Sequence, residues 1–157
     1  MWSRDLANLD PSIRYNCEAF LAECSKKGLN VIVTCTSRDH KLQAALYSQG
    51  RDSLEVTNRM RSLAGMSQIS EERNKKKVTW TFNSKHIVNR DDDDLFNDLS
   101  MAFDFCIVRD KKAMWDIKAD VNENEIPDYE ECGRIAEALG LTWGGRWKKP
   151  DYCHVQV

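Results

Sequence analysis

Met101-Ala102-Phe103-Asp104-Phe105-Cys106-Ile107-Val108 reads as a buried β-strand with one residue out of character. A short run rich in aromatic and β-branched side chains fits a strand better than a helix. Asp104 stands in its middle. A carboxylate in such a run is costly unless it is paired or bound to a cation. The same eight residues therefore set the centre of a sheet and mark a place for chemistry.

Working outward, residues 11–28 read as a helix. Asp10 is its cap and Pro11 its first residue, with Ile13, Cys17, Phe20, Leu21 and Cys24 on one stripe and Gly28 at the stop. Asn30–Thr36 reads as a buried strand and Asp39–Ser48 as a helix with Leu42, Ala45 and Leu46 inward. Residues 52–77 read as an inserted, partly helical loop, and residues 88–99, with Asp91–Asp94, as an acidic one. Val78–Phe82 alternates as a strand, Trp115–Ile117 is expected to pair beside Met101–Val108, Pro127–Leu139 is an amphipathic helix and Tyr152–Val157 a last strand. That order predicts an α+β fold in one domain spanning 1–157, with a small, mostly antiparallel sheet packed with helices and no separate second domain.

The composition narrows the function classes. The 157 residues are 41% hydrophobic and 31% charged, with a net charge of −2. That excludes global disorder. A nucleic-acid binder would usually carry a basic excess, so no nucleic-acid partner is expected, and Lys75–Lys77 is read as a solvated loop. No apolar run approaches a membrane span, so no insertion is expected. The N-terminus lacks an apolar signal core, which points to synthesis in a cytosol where thiols stay reduced. Cys17, Cys24, Cys35, Cys106, Cys132 and Cys153 contain no C-x-x-C pair, so they read as small buried hydrophobes.

The histidines are scarcer and better placed. His86 follows a predicted strand and His154 lies on the last one. With Asp104 they form a three-ligand set that leaves a fourth zinc position open for water; two satisfied structural histidines are the competing reading. Asp151 is near enough in sequence to act as general base without being a ligand. The strand period puts Tyr152, His154 and Gln156 on one face and Cys153 on the other, while Cys106 shares a face with Asp104.

Ser84-x-His86, Ser100-Met101-Ala102-Phe103-Asp104, Trp143-Gly144-Gly145-Arg146-Trp147 and Asp151-x-x-His154, in that order, resemble the VanY-type D-Ala-D-Ala carboxypeptidase / L-alanyl-D-glutamate peptidase family of zinc peptidases. Ser37-Arg38 with Gln43, Leu46-Tyr47 and Gln49-Gly50-Arg51 resembles the family's upstream stretch. Ser3-Arg4-Asp5-Leu6 with Leu9 and Pro11, and Asp at position 151, are similar to its phage endolysin branch. The resemblance implies His86, Asp104 and His154 as zinc ligands, Asp151 as catalytic base, Arg38 as substrate holder and oxyanion stabiliser, and Gln43 as a peptide-positioning residue. It implies a monomeric enzyme that hydrolyses the peptide stem of bacterial peptidoglycan, expected at the L-alanyl-D-glutamate bond. A D-alanyl-D-alanine carboxypeptidase on the same site, and a non-enzymatic wall- or calcium-binding module with structural zinc, are the alternatives. The endolysin branch implies action on the wall after release from a host cytoplasm. The sequence departs from the family pattern at residues 87–103, a much longer spacer between His86 and Asp104 with no clear match to the family glycine.

A second metal is suggested by spacing alone. Asp120, Asn122, Asn124, Asp128 and Glu131 fall at ligand positions of an EF-hand-like calcium loop, although Glu125 stands where glycine is expected.

Overall fold

The computed structural model describes residues 2–88 and 99–157. Asp91–Asp94 and most of the predicted 88–99 insertion lie outside the described residues.

The fold is α+β. Strands β1 (Trp2–Ser3), β2 (Val31–Cys35), β3 (Ser37–Arg38), β4 (Ala102–Arg109), β5 (Lys112–Met114), β6 (Thr142–Trp143) and β7 (His154–Gln156) alternate with helices. The helices are α1 (Pro11–Lys26), α2 (His40–Ser48), α3 (Leu54–Leu63), α4 (Glu71–Asn74) and α5 (Asp128–Ala138). The main sheet has the order β2-β4-β7-β6 with β5 beside β4, and every pairing is antiparallel. β1 and β3 form a separate two-stranded ladder.

β4 is the predicted central strand, and its period of two divides the molecule. Phe103, Phe105 and Ile107 enter one core with Ile13, Cys17, Phe20 and Cys24 of α1 and Tyr129, Cys132 and Ala136 of α5. Phe20 meets Phe103 and Phe105 at ring separations of 5.5 and 5.1 Å, and tilted aromatic contacts of this kind add to the apolar burial. Residues of opposite parity, Asp104 among them, face away from that core. α1 begins as expected: Asp10 caps it by accepting the Ser12 N–H at 2.9 Å, and Pro11 occupies its first turn.

Two local expectations are corrected. Val78–Phe82 joins no sheet: the chain bends at Trp80 and Phe82, and the Gln43 side chain takes up Thr79 Oγ1 and Thr81 O in place of a neighbouring strand. The strand beside β4 is Lys112–Met114, not Trp115–Ile117, because Asp110 and Lys111 take left-handed backbone angles (φ 50° and 62°) and turn the chain back at once. Residues 52–77 are partly helical, as expected: Ser53 and Ser70 cap α3 and α4, and the buried Arg61 donates to Ser67 O at 2.7 Å. Among the described residues no helix is long and apolar enough to cross a membrane.

Candidate active site

β4 and β7 place the first two candidate residues. Their register sets Asp104 directly opposite His154, while a bulge between Val33 and Cys35 in β2 sets Cys35 against Asp104 on the other side. His86 arrives from the loop before the long spacer. Backbone bonds hold it in place: Arg38 N–H donates to His86 O at 2.9 Å, and Val88 N–H donates to Arg38 O at 3.0 Å.

The three side chains meet. His86 Nε2 and His154 Nδ1 each lie 3.0 Å from Asp104 Oδ1 and 3.2 Å from one another. The outer ring nitrogens fix the tautomers. His86 Nδ1 is 3.1 Å from the Thr36 carbonyl, which can only accept, so that nitrogen carries the proton. His154 Nε2–H donates to Gln156 Oε1 at 3.1 Å. In the neutral rings the inner nitrogens therefore present lone pairs to each other and to a carboxylate oxygen. Three acceptors at that spacing repel unless a proton or a cation sits among them. Tetrahedral zinc ligands at about 2.0–2.1 Å from the metal stand about 3.3 Å apart, so the triangle fits that ion. Its outer hydrogen bonds are the orienting contacts that metal-binding histidines use.

Burial opposes charge on Asp104, but His86 and His154 outweigh it and hold the carboxyl well below the usual carboxylate range. Burial likewise works against a charged His154, and Asp104 more than offsets it. Asp104 Oδ2 faces the Arg38 guanidinium at 3.6 Å. Arg38 Nε is buried and finds no acceptor among the described residues, so this guanidinium retains an unused donor.

Cys35 is the neighbour that sequence reading left in an anonymous strand. Its sulfur, His86 and Asp104 offer ligand atoms within 4.8 Å of one another. The sulfur, however, lies 3.8 Å from His86 Nδ1, the nitrogen already committed to Thr36. Burial and then the Asp104 charge push its thiol up to about 12, so it flanks the triangle as a neutral group. Cys106, which shares the Asp104 face, is instead buried opposite Ile32.

A cleft of about 580 Å³ opens on His154 and is lined by Arg38, Asp151, Gln156, Trp80 and Trp147, among others. Asp151 thus reaches the same space as the triangle. Cys153, read as facing away, turns its Sγ–H onto Asp151 Oδ1 at 3.1 Å. The Trp-Gly-Gly stretch explains how this rim is held. Trp143 is buried between Gly133 and Gly145, where an added Cβ would stand 2.2 and 2.3 Å from its ring, and its indole N–H donates to Tyr152 O at 2.9 Å. At Gly144 a Cβ would stand 2.6 Å from Asp151 O, so glycine there permits the close approach that delivers Asp151.

Gln43 requires a correction. It is wholly buried and does not line the cleft. Its amide donates to Thr81 O at 2.7 Å and to Thr79 Oγ1 at 3.3 Å, fastening the wall from behind. Gln156, Trp147 and Trp80 were missed as site residues. Only Gln156 had a usable signal, since it shares the His154 face of the last strand.

The 120–131 loop gathers its five residues, but for another purpose. Asp120 accepts the N–H groups of Asn124 and Glu125, and buried Asp128 accepts that of Val121. Glu131 accepts the amides of Asn122 and Asn124 at 2.9 and 2.8 Å and pairs with Lys27 at 3.2 Å. Four of the five side chains thus have their oxygens met by protein donors, while Asn122 Oδ1 is buried and finds no donor among the described residues, and the loop ties the start of α5 to the end of α1. Spacing remains the whole of the support for calcium there.

Residues 98–157, which include β4, Asp151 and β7, match the family described as D-alanyl-D-alanine carboxypeptidase. The chain is therefore similar to that family over its C-terminal part, and to a curated peptidase over most of its length. It is a metallopeptidase. It is 27% identical over 153 residues to the peptidoglycan L-alanyl-D-glutamate endopeptidase CwlK of Bacillus subtilis, covering 96% of this chain and 74% of that protein. The crystal structure of the Serratia marcescens L-Ala D-Glu endopeptidase ChiX shares the fold, with a TM-score of 0.53 and 18% identity, covering 97% of this chain and 82% of that one.

Proposed function

We propose that this chain is a zinc-dependent peptidoglycan peptidase that hydrolyses the L-alanyl-D-glutamate bond of the wall's peptide stem, and that it serves as an endolysin. The observation that carries the reading is the triangle of His86 Nε2, Asp104 Oδ1 and His154 Nδ1 with both outer ring nitrogens tied down. CwlK supports the choice of bond, and Asp at position 151 with the opening Ser3–Leu6 stretch supports the endolysin role.

His86, Asp104 and His154 would hold the zinc. When bound, zinc supplies Lewis-acid polarisation and makes water acidic enough to yield a nucleophile near neutral pH. Asp151 takes the proton from the attacking water. Arg38, which lines the cleft beside Asp104, donates from its guanidinium to the carbonyl oxygen as negative charge develops there. Asp151 then returns the proton to the leaving amine. Gln156 and the Thr36 carbonyl keep both imidazoles in the tautomer this arrangement needs.

Metal analysis combined with mass spectrometry of digested muropeptides tests the reading. One zinc per chain and release of the stem after L-alanine are expected. Asp151→Ala should abolish turnover while keeping zinc, and His154→Ala should lose both; full lytic activity in either variant refutes the assigned roles. The description of the matching family favours one second reading, a D-alanyl-D-alanine carboxypeptidase on the same site. Loss of a single terminal D-alanine would identify it.

A further inference from the structure

The cleft has a charge unlike that of the chain around it. The net charge of the chain is −2, yet the cleft is lined by Arg38, Lys85, Lys148 and Lys149 against one lining carboxylate of an acidic residue, Asp151. A concave site with an excess of one sign focuses its field and concentrates oppositely charged ligands. Two of the four cations are already engaged. Arg38 leans on Asp104, and Lys85 Nζ donates to Val157 O at 2.9 Å. Lys148 and Lys149 form no ion pair with a carboxylate among the described residues. Lys149 Nζ instead lies 4.7 Å from the centre of the ring of Trp80, which also lines the cleft. A cation–π contact holds the ammonium in place without neutralising it.

Position along the chain makes this charge specific. Lys148 and Lys149 come three and two residues before Asp151, so the backbone keeps them within about 7–11 Å of it. Asp151 is the group assigned to protonate the leaving amine. The residue that bears that amine, on the carboxyl side of the scissile bond, is therefore the part of the substrate nearest the two lysines.

We propose that Lys148 and Lys149, the latter braced on Trp80, recognise a free carboxylate on the residue carboxyl-side of the scissile bond. The substrate class is then an acidic peptide, and the amidated form of the same peptide is selected against. The inference rests on the peptidase reading and narrows it. Selectivity arises because an amide offers the ammonium groups neither charge nor a second anionic oxygen.

Binding separates this inference from the reading beneath it. Two synthetic stem peptides containing L-Ala-D-Glu are used, one with the glutamate α-carboxylate free and one with it as the carboxamide. Each is titrated calorimetrically into the zinc-loaded Asp151→Asn variant, and hydrolysis by the wild-type enzyme is followed in parallel by mass spectrometry. The free acid is expected to bind at least tenfold more tightly at low salt, with the ratio shrinking as salt rises. Adding Lys148→Gln and Lys149→Gln should bring the two affinities within about twofold of each other. Equal affinities before those substitutions, or an undiminished ratio after them, overturn the proposal. Hydrolysis of both peptides with equal affinities would sink the lysine recognition and uphold the peptidase. A clear binding preference without cleavage at this bond would support the recognition and reject the bond assignment.

Discussion

Gln156 offers the sharpest probe of the proposed metal site, because only one of the two contacts that orient its histidines can be removed by substitution. His86 is held by a backbone carbonyl, Thr36 O at 3.1 Å, which no side-chain change deletes. His154 is held by the side chain of Gln156, also at 3.1 Å. In Gln156→Leu the Nε2–H of a nearly buried imidazole loses its acceptor, and the tautomer that puts the proton on Nδ1 becomes competitive. That tautomer points N–H at the position a zinc ion would take. Removing such an orienting contact typically weakens metal binding 10–100-fold, which corresponds to about 1.4–2.7 kcal/mol. Gln156→Glu keeps an acceptor and should bind zinc at least as tightly as the parent. The assay is competition for zinc against a chromogenic chelator at fixed pH, with circular dichroism of the metal-free proteins as a folding control. An unchanged zinc affinity in a folded Gln156→Leu protein would refute the claim that this hydrogen bond orients His154.

Other outcomes follow from packing and capping. Gly133→Ala puts a Cβ 2.2 Å from a Trp143 ring blocked on its other side by Gly145, so urea unfolding should show a loss at or above the usual ~1–3 kcal/mol of overpacking. Gln43→Leu removes the contacts to Thr81 O and Thr79 Oγ1 and should cost ~0.5–1.5 kcal/mol. It should also raise KM more than it lowers kcat, because the cleft wall loosens while the triangle is untouched. Asp10→Ala removes the α1 cap and should cost about 1 kcal/mol near neutral pH. The Ser12 contacts hold the Asp10 carboxyl below its ordinary value of 3.8, so this contribution is present above that value. It is lost as pH falls through the folded-state value, and the stability gap between wild type and Asp10→Ala should close in acid.

Much of the fold was legible because period and composition agreed. β4 announced itself through apolar density, and its one misplaced residue led to the site. α1 and α5 were readable from stripes that do enter the core. The misreading of Val78–Phe82 shows the limit. Alternation predicts two faces, but a strand also needs a neighbour, and here Gln43 and Arg51 take the inward side instead. The convergence of His86, Asp104 and His154 depends on β-register and on a backbone bond to Arg38, neither of which a single sequence displays. Thr36 acts through its carbonyl and Cys35 through a bulge, so residue type held no clue to either. The 120–131 loop erred in the opposite direction, since ligand spacing and a hydrogen-bonded turn draw on the same side chains.

The long spacer between His86 and Asp104 begins and ends at a fastened neck. On one flank Val88 is bonded to Arg38; on the other Ser100 is bonded to Asn8 and Lys85, and Met101 to Lys85. Closure entropy grows only logarithmically with length, so residues added between two pinned flanks cost little and move no ligand. The separation of His86 and Asp104 along the chain is thus decoupled from their separation in space, which the pinned flanks set. For an engineer, the same neck is a place to graft a peptide tag or a wall-targeting segment and keep the metal geometry.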